Sequence, residues 1–129
     1  MMELVFGSLI YLASVVNCSD GDTCRVSLPN LPIFVREQRL RFADFDTPEM
    51  NGKCAKEKEM AKRARAMTEK YVTNGGKVFV APKKSTRYER YDDSFGRLLV
   101  EAPDLKKQLI EEGLARPYNY KDGRKSWCS

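Results

Sequence analysis

The sequence predicts an α+β fold, mainly a β-barrel: five strands in a Greek-key arrangement, two packed helices and a short C-terminal tail. Three observations support it. Short strand-like runs are separated by turn residues, a long amphipathic helical pattern follows the third run, and a shorter helical pattern lies near the end. This order of elements is typical of the OB fold. We expect residues 1–129 to form one domain with a sizeable core.

The first three strands are predicted from apolar runs separated by two turns. An Asp-Gly pair at 20–21 and a Pro-Asn-Leu-Pro run at 29–32 are common turn signals. The alternation of the third run breaks at residues 36–38, which predicts a bulge within one long strand. The three predicted strands are residues 8–17, 23–28 and 33–45.

The main helix is predicted over residues 53–72. Its apolar positions recur every three or four residues, which indicates a face packed on the barrel. We expect the alternating charges of residues 56–59 to face solvent. An Asn-Gly-Gly run at 74–76 ends the helix. The predicted apolar face comprises Met60, Ala64, Met67 and Tyr71.

The second half of the chain predicts two further strands, over residues 77–81 and 95–101, and a second helix. Asp104 is the expected N-cap of this helix over residues 105–112, and Gly113 is expected to close it. The remaining tail, residues 119–129, is too short and polar for another stable helix.

The N-terminus leaves two interpretations open. Residues 4–16 are mostly apolar, like the core of an export signal, yet Glu3 stands where a positive charge is expected and no clear cleavage site follows. Residues 1–7 are therefore either the remnant of such a signal or an extension of the first strand. The apolar run is too short to span a bilayer, so we expect no membrane association.

Composition restricts the possible chemistry. The formal net charge is +5 and the isoelectric point is about 9.1, which suits a polyanionic partner and is also found in ordinary basic proteins. The chain has no histidine, which excludes Ser-His-Asp and Cys-His enzymes. Any hydrolysis must therefore use carboxylates, arginines, tyrosines or a metal ion.

The four cysteines lack the paired spacing of a zinc site. Cys18 and Cys24 flank the turn at 20–21, where neighbouring strands can bring them opposite each other. We favour the bridges Cys18–Cys24 and Cys54–Cys128, although four cysteines allow three pairings and four free thiols are the alternative. Disulfides favour a secreted or periplasmic protein.

Two acidic strings predict a metal site. Asp-Gly-Asp-Thr at 20–23 and Asp-Thr-Pro-Glu at 46–49 each follow an apolar, strand-like run. Clustered carboxylates at strand ends suit a hard cation such as Ca²⁺. Arg41 lies between these strings and Arg97 follows later in the chain, and both suit a phosphate group. Together they predict a site that cleaves phosphodiesters.

An ordered set of motifs resembles the thermonuclease family of staphylococcal-nuclease-like domains. The matching pieces are DGDT at 20–23, RFADFDTPE at 41–49, FGRLL at 95–99 and LIEEGLARPY at 109–118. The resemblance covers about residues 8–120. It implies an OB-fold, Ca²⁺-dependent nuclease that hydrolyses DNA and RNA with little sequence preference and leaves 3′-phosphate ends.

The resemblance also implies roles for individual residues. The carboxylates of Asp22 and Asp46 and the carbonyl of Thr47 would hold the metal. Glu49 would orient the attacking water, and Arg41 and Arg97 would bind the phosphate.

Other candidate substrate contacts rest on weaker signals. The loop at 82–94 interleaves basic residues with tyrosines, which suits a nucleic-acid backbone and its bases and equally suits a polar hairpin. Two positions that commonly touch phosphate in the family, Tyr and Lys there, are Phe95 and Ser94 here. The candidate contacts are Lys83, Lys84, Arg87, Tyr88, Tyr91, Tyr118 and Tyr120.

The alternative function is a catalytically silent OB-fold module that binds nucleic acid or a protein. Silent members are expected to lose acidic ligands or arginines, and all the residues named above for metal, water and phosphate are present in this chain. We therefore expect DNA and RNA as substrates, a monomer and no obligate protein partner.

Overall fold

The computed structural model describes residues 1–80, 83–84, 89–90, 96–118 and 125–128. Six strands close into a barrel in the order β1-β2-β3-β4-β9-β6. The described residues also include two α-helices, so the predicted α+β barrel of OB type is confirmed, with six barrel strands in place of five. The barrel strands are β1 (Met2–Phe6), β2 (Leu9–Asp20), β3 (Thr23–Ser27), β4 (Glu37–Phe42), β6 (Lys77–Val80) and β9 (Leu98–Glu101).

The additional strand is β1, at the N-terminus. It pairs antiparallel with β2 and parallel with β6, and so closes the barrel. Met2 and Leu4 are buried in the core, as alternate positions of a strand should be. Gly7 makes the turn to β2 with a positive φ of 60°, a conformation that glycine adopts without strain.

The predicted third strand over residues 33–45 is wrong in its extent. A short 3₁₀-helix occupies Ile33–Val35, β4 spans only Glu37–Phe42, and β5 (Phe45–Asp46) is a separate strand. The chain turns between β4 and β5, where Asp44 has a φ of 72°. β5 leaves the barrel and pairs with β10 (Arg116–Pro117).

Helix α1 (Ala55–Thr73) packs against β2. The N-cap of this helix is Cys54, whose sulfur accepts a hydrogen bond from the Glu57 N–H at 3.4 Å. Apart from Glu57, the buried face consists of small residues, whereas the predicted Met60, Met67 and Tyr71 are only partly buried. The buried positions are Glu57, Ala61, Ala64, Thr68 and Val72.

Helix α2 (Pro103–Glu111) begins two residues earlier than predicted. Ala102 is its N-cap, and Asp104 lies in the first turn rather than at the cap. Proline suits the first helical position because its missing N–H has no partner there anyway. Gly113 follows the helix with a φ of 71°, and this closure agrees with the sequence prediction.

The strands β7 (Lys83–Lys84) and β8 (Glu89–Arg90) pair with each other outside the barrel. Strand β9 starts at Leu98, three residues later than predicted. Inside the barrel, apolar side chains form one core, to which the first four strands, α1 and α2 all contribute. Its largest fully buried members include Phe42, Phe45, Met2, Leu40, Leu105 and Leu109.

Both favoured disulfides are present. Cys18 pairs with Cys24 across β2 and β3, and Cys54 pairs with Cys128. Two disulfides are typical of proteins from oxidising compartments. A separate finding is that no helix in the described ranges is long and apolar enough to cross a membrane.

Candidate active site

Asp22 lies in the two-residue turn between β2 and β3 and is buried, with 5% of its surface exposed. Its Oδ1 accepts from the Thr23 hydroxyl at 3.0 Å, and its Oδ2 accepts from the Thr47 N–H at 3.2 Å. Its carbonyl oxygen accepts from the Phe42 N–H at 2.9 Å. The first acidic string is therefore bonded directly to the second.

Asp46 ends β5 and is also buried, with 5% of its surface exposed. Thr47, the next residue, is fully buried and donates its N–H to Asp22. Since consecutive Cα atoms are only about 3.8 Å apart, this contact brings Asp46 into the neighbourhood of the Asp22 carboxylate. Strand β10 holds Asp46 from its other side, with Arg116 opposite it.

Arg41 lies on β4, and its guanidinium bridges the same two segments. Its Nη1 donates to the carbonyl oxygens of Phe45 at 3.2 Å and Asp22 at 3.5 Å, and also to that of Phe42. Its Nη2 lies 3.5 Å from Asp22 Oδ2, and this ion pair is largely buried. A guanidinium carries five N–H donors, so these contacts leave donors for a further anion.

Arg97 directly precedes β9, which runs parallel to β4 with Leu99 opposite Arg41. Arg97 is therefore one strand across and two positions along from Arg41. At ordinary strand spacings this places the two Cα atoms about 8 Å apart. Alternate residues share a face of a strand, so continuing the β9 pattern puts Arg97 on the Arg41 side.

Glu49 is exposed and follows Asp46 by three residues. Its backbone N–H donates to the Glu57 Oε2 atom at 3.1 Å. The neighbouring Met50 N–H donates to Asp20 Oδ1 at 2.8 Å. The segment that carries Glu49 is thus attached to both α1 and the first acidic string.

Sequence reasoning missed the supporting side chains on α1. Thr68 is fully buried and donates its hydroxyl to the Gly21 carbonyl at 2.6 Å. Glu57, expected to face solvent, is buried with 6% of its surface exposed, so that expectation is wrong. A usable signal exists, because Glu57 is in helical phase with Ala61, Ala64 and Thr68.

The donor set fits a hard cation only in part. Among the described residues there is no group of three or more histidine, cysteine or acidic side chains that could hold a metal ion. The candidate ligands are two buried carboxylates and the Thr47 carbonyl, all of them oxygen atoms. Ca²⁺ takes six to eight oxygens, so water or substrate oxygens would have to complete such a shell.

The weaker substrate candidates are only partly described. Lys83 and Lys84 form β7. Tyr118 lies just after β10, and its N–H donates to the Asp44 carbonyl at 3.1 Å, which places its backbone near β5. The others, Arg87, Tyr88, Tyr91 and Tyr120, lie outside the described residues, as do Ser94 and Phe95.

A family model for staphylococcal nuclease homologues matches residues 39–126, about two thirds of the chain. The matched range includes Arg41, Asp46, Glu49 and Arg97 and excludes Asp22, which the fold brings to Thr47. A search of curated proteins found no match. The match over most of the chain shows that this protein belongs to the staphylococcal nuclease homologue family.

Proposed function

We propose that this protein is a Ca²⁺-dependent nuclease that hydrolyses DNA and RNA with little sequence preference and leaves 3′-phosphate ends. The observation that carries the proposal is that the Asp22 carboxylate contacts two other candidate site residues, Thr47 and Arg41. Asp22 Oδ2 accepts from the Thr47 N–H and lies 3.5 Å from the Arg41 guanidinium. Candidate metal ligands and a candidate phosphate ligand thus converge from two separate strings.

In this proposal Asp22, Asp46 and the Thr47 carbonyl hold the metal. An oxygen-only set with two carboxylates favours Ca²⁺ over Zn²⁺, which prefers nitrogen and sulfur ligands. When bound, the ion would supply positive charge beside the phosphate.

Side chains of the protein bind the phosphate and orient the attacking water. Arg97 and the outer donors of Arg41 bind non-bridging oxygens of the phosphate, where negative charge increases during the reaction. Glu49, which is exposed and follows Asp46 by three residues, orients the attacking water. Water attacks phosphorus, and the bond to the 5′ oxygen breaks, which leaves a 3′-phosphate and a 5′-hydroxyl.

Three further proposals concern the substrate, the cellular location and the oligomeric state. The positive net charge and the basic residues of 82–94 favour a polyanionic substrate. Two disulfides support a secreted or periplasmic enzyme. We propose that residues 1–129 act as a single domain and a monomer.

A silent nucleic-acid- or protein-binding module is the second candidate. One observation favours it: Arg41 already bonds to Asp22 and to three backbone carbonyls, as a structural arginine would. Such a module would bind nucleic acid without cutting it.

Digestion of plasmid DNA and RNA in Ca²⁺, Mg²⁺ and EDTA separates the two functions. We expect cleavage in Ca²⁺, none in EDTA and recovery when Ca²⁺ is restored. Glu49→Gln should be strongly impaired, whereas Glu59→Gln, which removes the same charge from another exposed glutamate, should cut normally. Retarded but intact nucleic acid under every condition would favour the silent module.

A further inference from the structure

Glu57 is a buried carboxylate beside the segment that carries Glu49. It lies in the first turn of α1, with 6% of its surface exposed. Its Oε2 accepts from the Glu49 N–H at 3.1 Å, and its Oε1 accepts from the Lys53 N–H at 3.2 Å. One carboxylate therefore binds both ends of the segment 49–53.

The segment 49–53 forms a turn that packs closely against the Glu57 side chain. The Gly52 N–H donates to the Glu49 carbonyl at 2.9 Å and closes a turn. A Cβ atom on Gly52 would lie 2.5 Å from Glu57 Cγ and 2.7 Å from its Cδ. Glycine at position 52 is what leaves room for the Glu57 side chain under the turn.

The position of Glu57 is itself fixed at the start of α1. Its N–H donates to the sulfur of Cys54, and Cys54 is bridged to Cys128. A carboxylate in the first turn of a helix is also favoured by the helix dipole. Burial of a charge is costly unless hydrogen bonds compensate, and here backbone donors of the 49–53 segment do so.

We propose that Glu57 is a positioning residue that holds the Glu49 backbone, so that the exposed Glu49 carboxylate stays at the water-orienting position. This inference rests on the proposed nuclease function. Glu49 lies in a loop, and a shift of about 1 Å in a group that orients a reactant costs about 100-fold in rate. Two charge-assisted hydrogen bonds, donated by the Glu49 and Lys53 N–H groups to a buried carboxylate, are suited to prevent such a shift.

The test uses Glu57→Gln, which keeps the shape of the side chain and replaces one acceptor oxygen with a donor. One of the two backbone N–H groups then loses its acceptor. We expect kcat for single-stranded DNA in Ca²⁺ to fall at least about 10-fold with KM nearly unchanged. The matched control Glu59→Gln lies two residues away, is exposed and should keep parental kinetics.

Gly52→Ala provides a second variant that keeps the Glu57 charge. Its Cβ must displace the Glu57 side chain, so it should reproduce the loss in kcat. Thermal melts of each variant set an assay temperature at which all are folded. A purely structural role predicts lower stability with parental kcat at that temperature, and this result would overturn the proposal.

A double variant shows whether Glu57 acts through Glu49. In a Glu49→Gln background, adding Glu57→Gln should lower kcat no further, while stability still falls. If the double variant instead shows a kcat loss equal to the product of the two single-variant losses, the proposal is overturned. If the parental protein cuts neither DNA nor RNA in Ca²⁺, the proposed function itself is wrong; if it cuts and Glu57→Gln cuts equally well, only the positioning role is wrong.

Discussion

The Asp22 carboxylate links the two acidic strings at the scale of single atoms. Its oxygens contact Thr23, Thr47 and Arg41. The family match begins at residue 39 and leaves Asp22 outside. Its place in the candidate site therefore depends on the fold, because strand pairing and the Thr47 contact bring it to the matched segment.

Arg97→Lys tests the phosphate contact at the residue level. Lysine keeps the charge and loses the two-pronged donor geometry of arginine. A charge-assisted hydrogen bond made mainly in the transition state is worth about 2–3 kcal/mol, or about 30- to 150-fold in rate. We expect this loss in kcat, with KM changed much less.

Steady-state kinetics on single-stranded DNA at two salt concentrations distinguish this role from that of a surface charge. A surface arginine predicts near-parental kcat and a small, salt-dependent rise in KM. If Arg97→Lys shows that pattern, the two-arginine mechanism is incorrect.

Side chains of helix α1 form hydrogen bonds with the backbone segments that carry the candidate site residues. Thr68 bonds to the Gly21 carbonyl, Glu57 bonds to the segment 49–53, and Glu69 Oε1 accepts from the Cys18 N–H at 3.2 Å. Gly21 packs so closely that an added Cβ would lie 2.9 Å from the Ala64 Cβ. The turn that carries Asp22 is therefore held in place by this helix.

Thr68→Val measures the link between α1 and that turn. Valine keeps the shape of threonine and removes the hydroxyl, so the buried Gly21 carbonyl loses its donor. We expect the free energy of unfolding to fall by about 1–3 kcal/mol in urea denaturation. Thr68→Ser keeps the hydroxyl and should lose less; equal stability of Thr68→Val and the parent would contradict this account.

The elements with long periodic patterns were predictable and the short ones were not. Helix α1 repeats its apolar face over five turns, so its existence and approximate ends follow from the sequence. β1 is a five-residue strand in an apolar run that resembles an export signal, and its pairing with β2 and β6 reveals it. The 3₁₀-helix at Ile33–Val35 interrupts a run that reads as strand.

The sequence likewise indicated some residues of the candidate site and missed others. The two acidic strings were expected to form one site, and the contact of Asp22 with Thr47 shows that they lie close together. The burial of Glu57 was missed because it stands in a run of alternating charges, although its helical phase with Ala61 and Ala64 was a usable signal. Asp104 was misassigned as an N-cap because the helix starts at Pro103, two residues earlier than predicted, with Ala102 as its N-cap.

At the scale of the whole molecule, the C-terminal tail is attached at two points. Cys128 is bridged to Cys54, and the Arg116 guanidinium lies 3.4 Å over the Trp127 ring. Arg116 is also opposite Asp46 in the β5–β10 pair. The tail thus contacts β10, which pairs with the strand that carries Asp46, and it is bridged to the N-cap of the helix that carries Glu57.

Replacing each bridge by a serine pair tests the contribution of the two disulfides. The Cys54–Cys128 bridge spans 74 residues and the Cys18–Cys24 bridge spans six. Chain entropy predicts losses of about 4 kcal/mol and about 2 kcal/mol in the free energy of unfolding. Urea denaturation of Cys54→Ser/Cys128→Ser should show the larger loss; a larger loss for Cys18→Ser/Cys24→Ser would contradict the prediction.

The central claim is that Asp22 and Asp46 form one catalytic metal site, and the cleavage rate of Asp22→Asn in saturating Ca²⁺ tests it most directly. We expect single-turnover cleavage of DNA to slow by at least about 100-fold, because the loss of a charged ligand removes several kcal/mol of transition-state stabilisation. Asp46→Asn should show a similar loss, and Asp104→Asn, exposed on α2, should cut at the parental rate. Parental cleavage by Asp22→Asn would contradict the account.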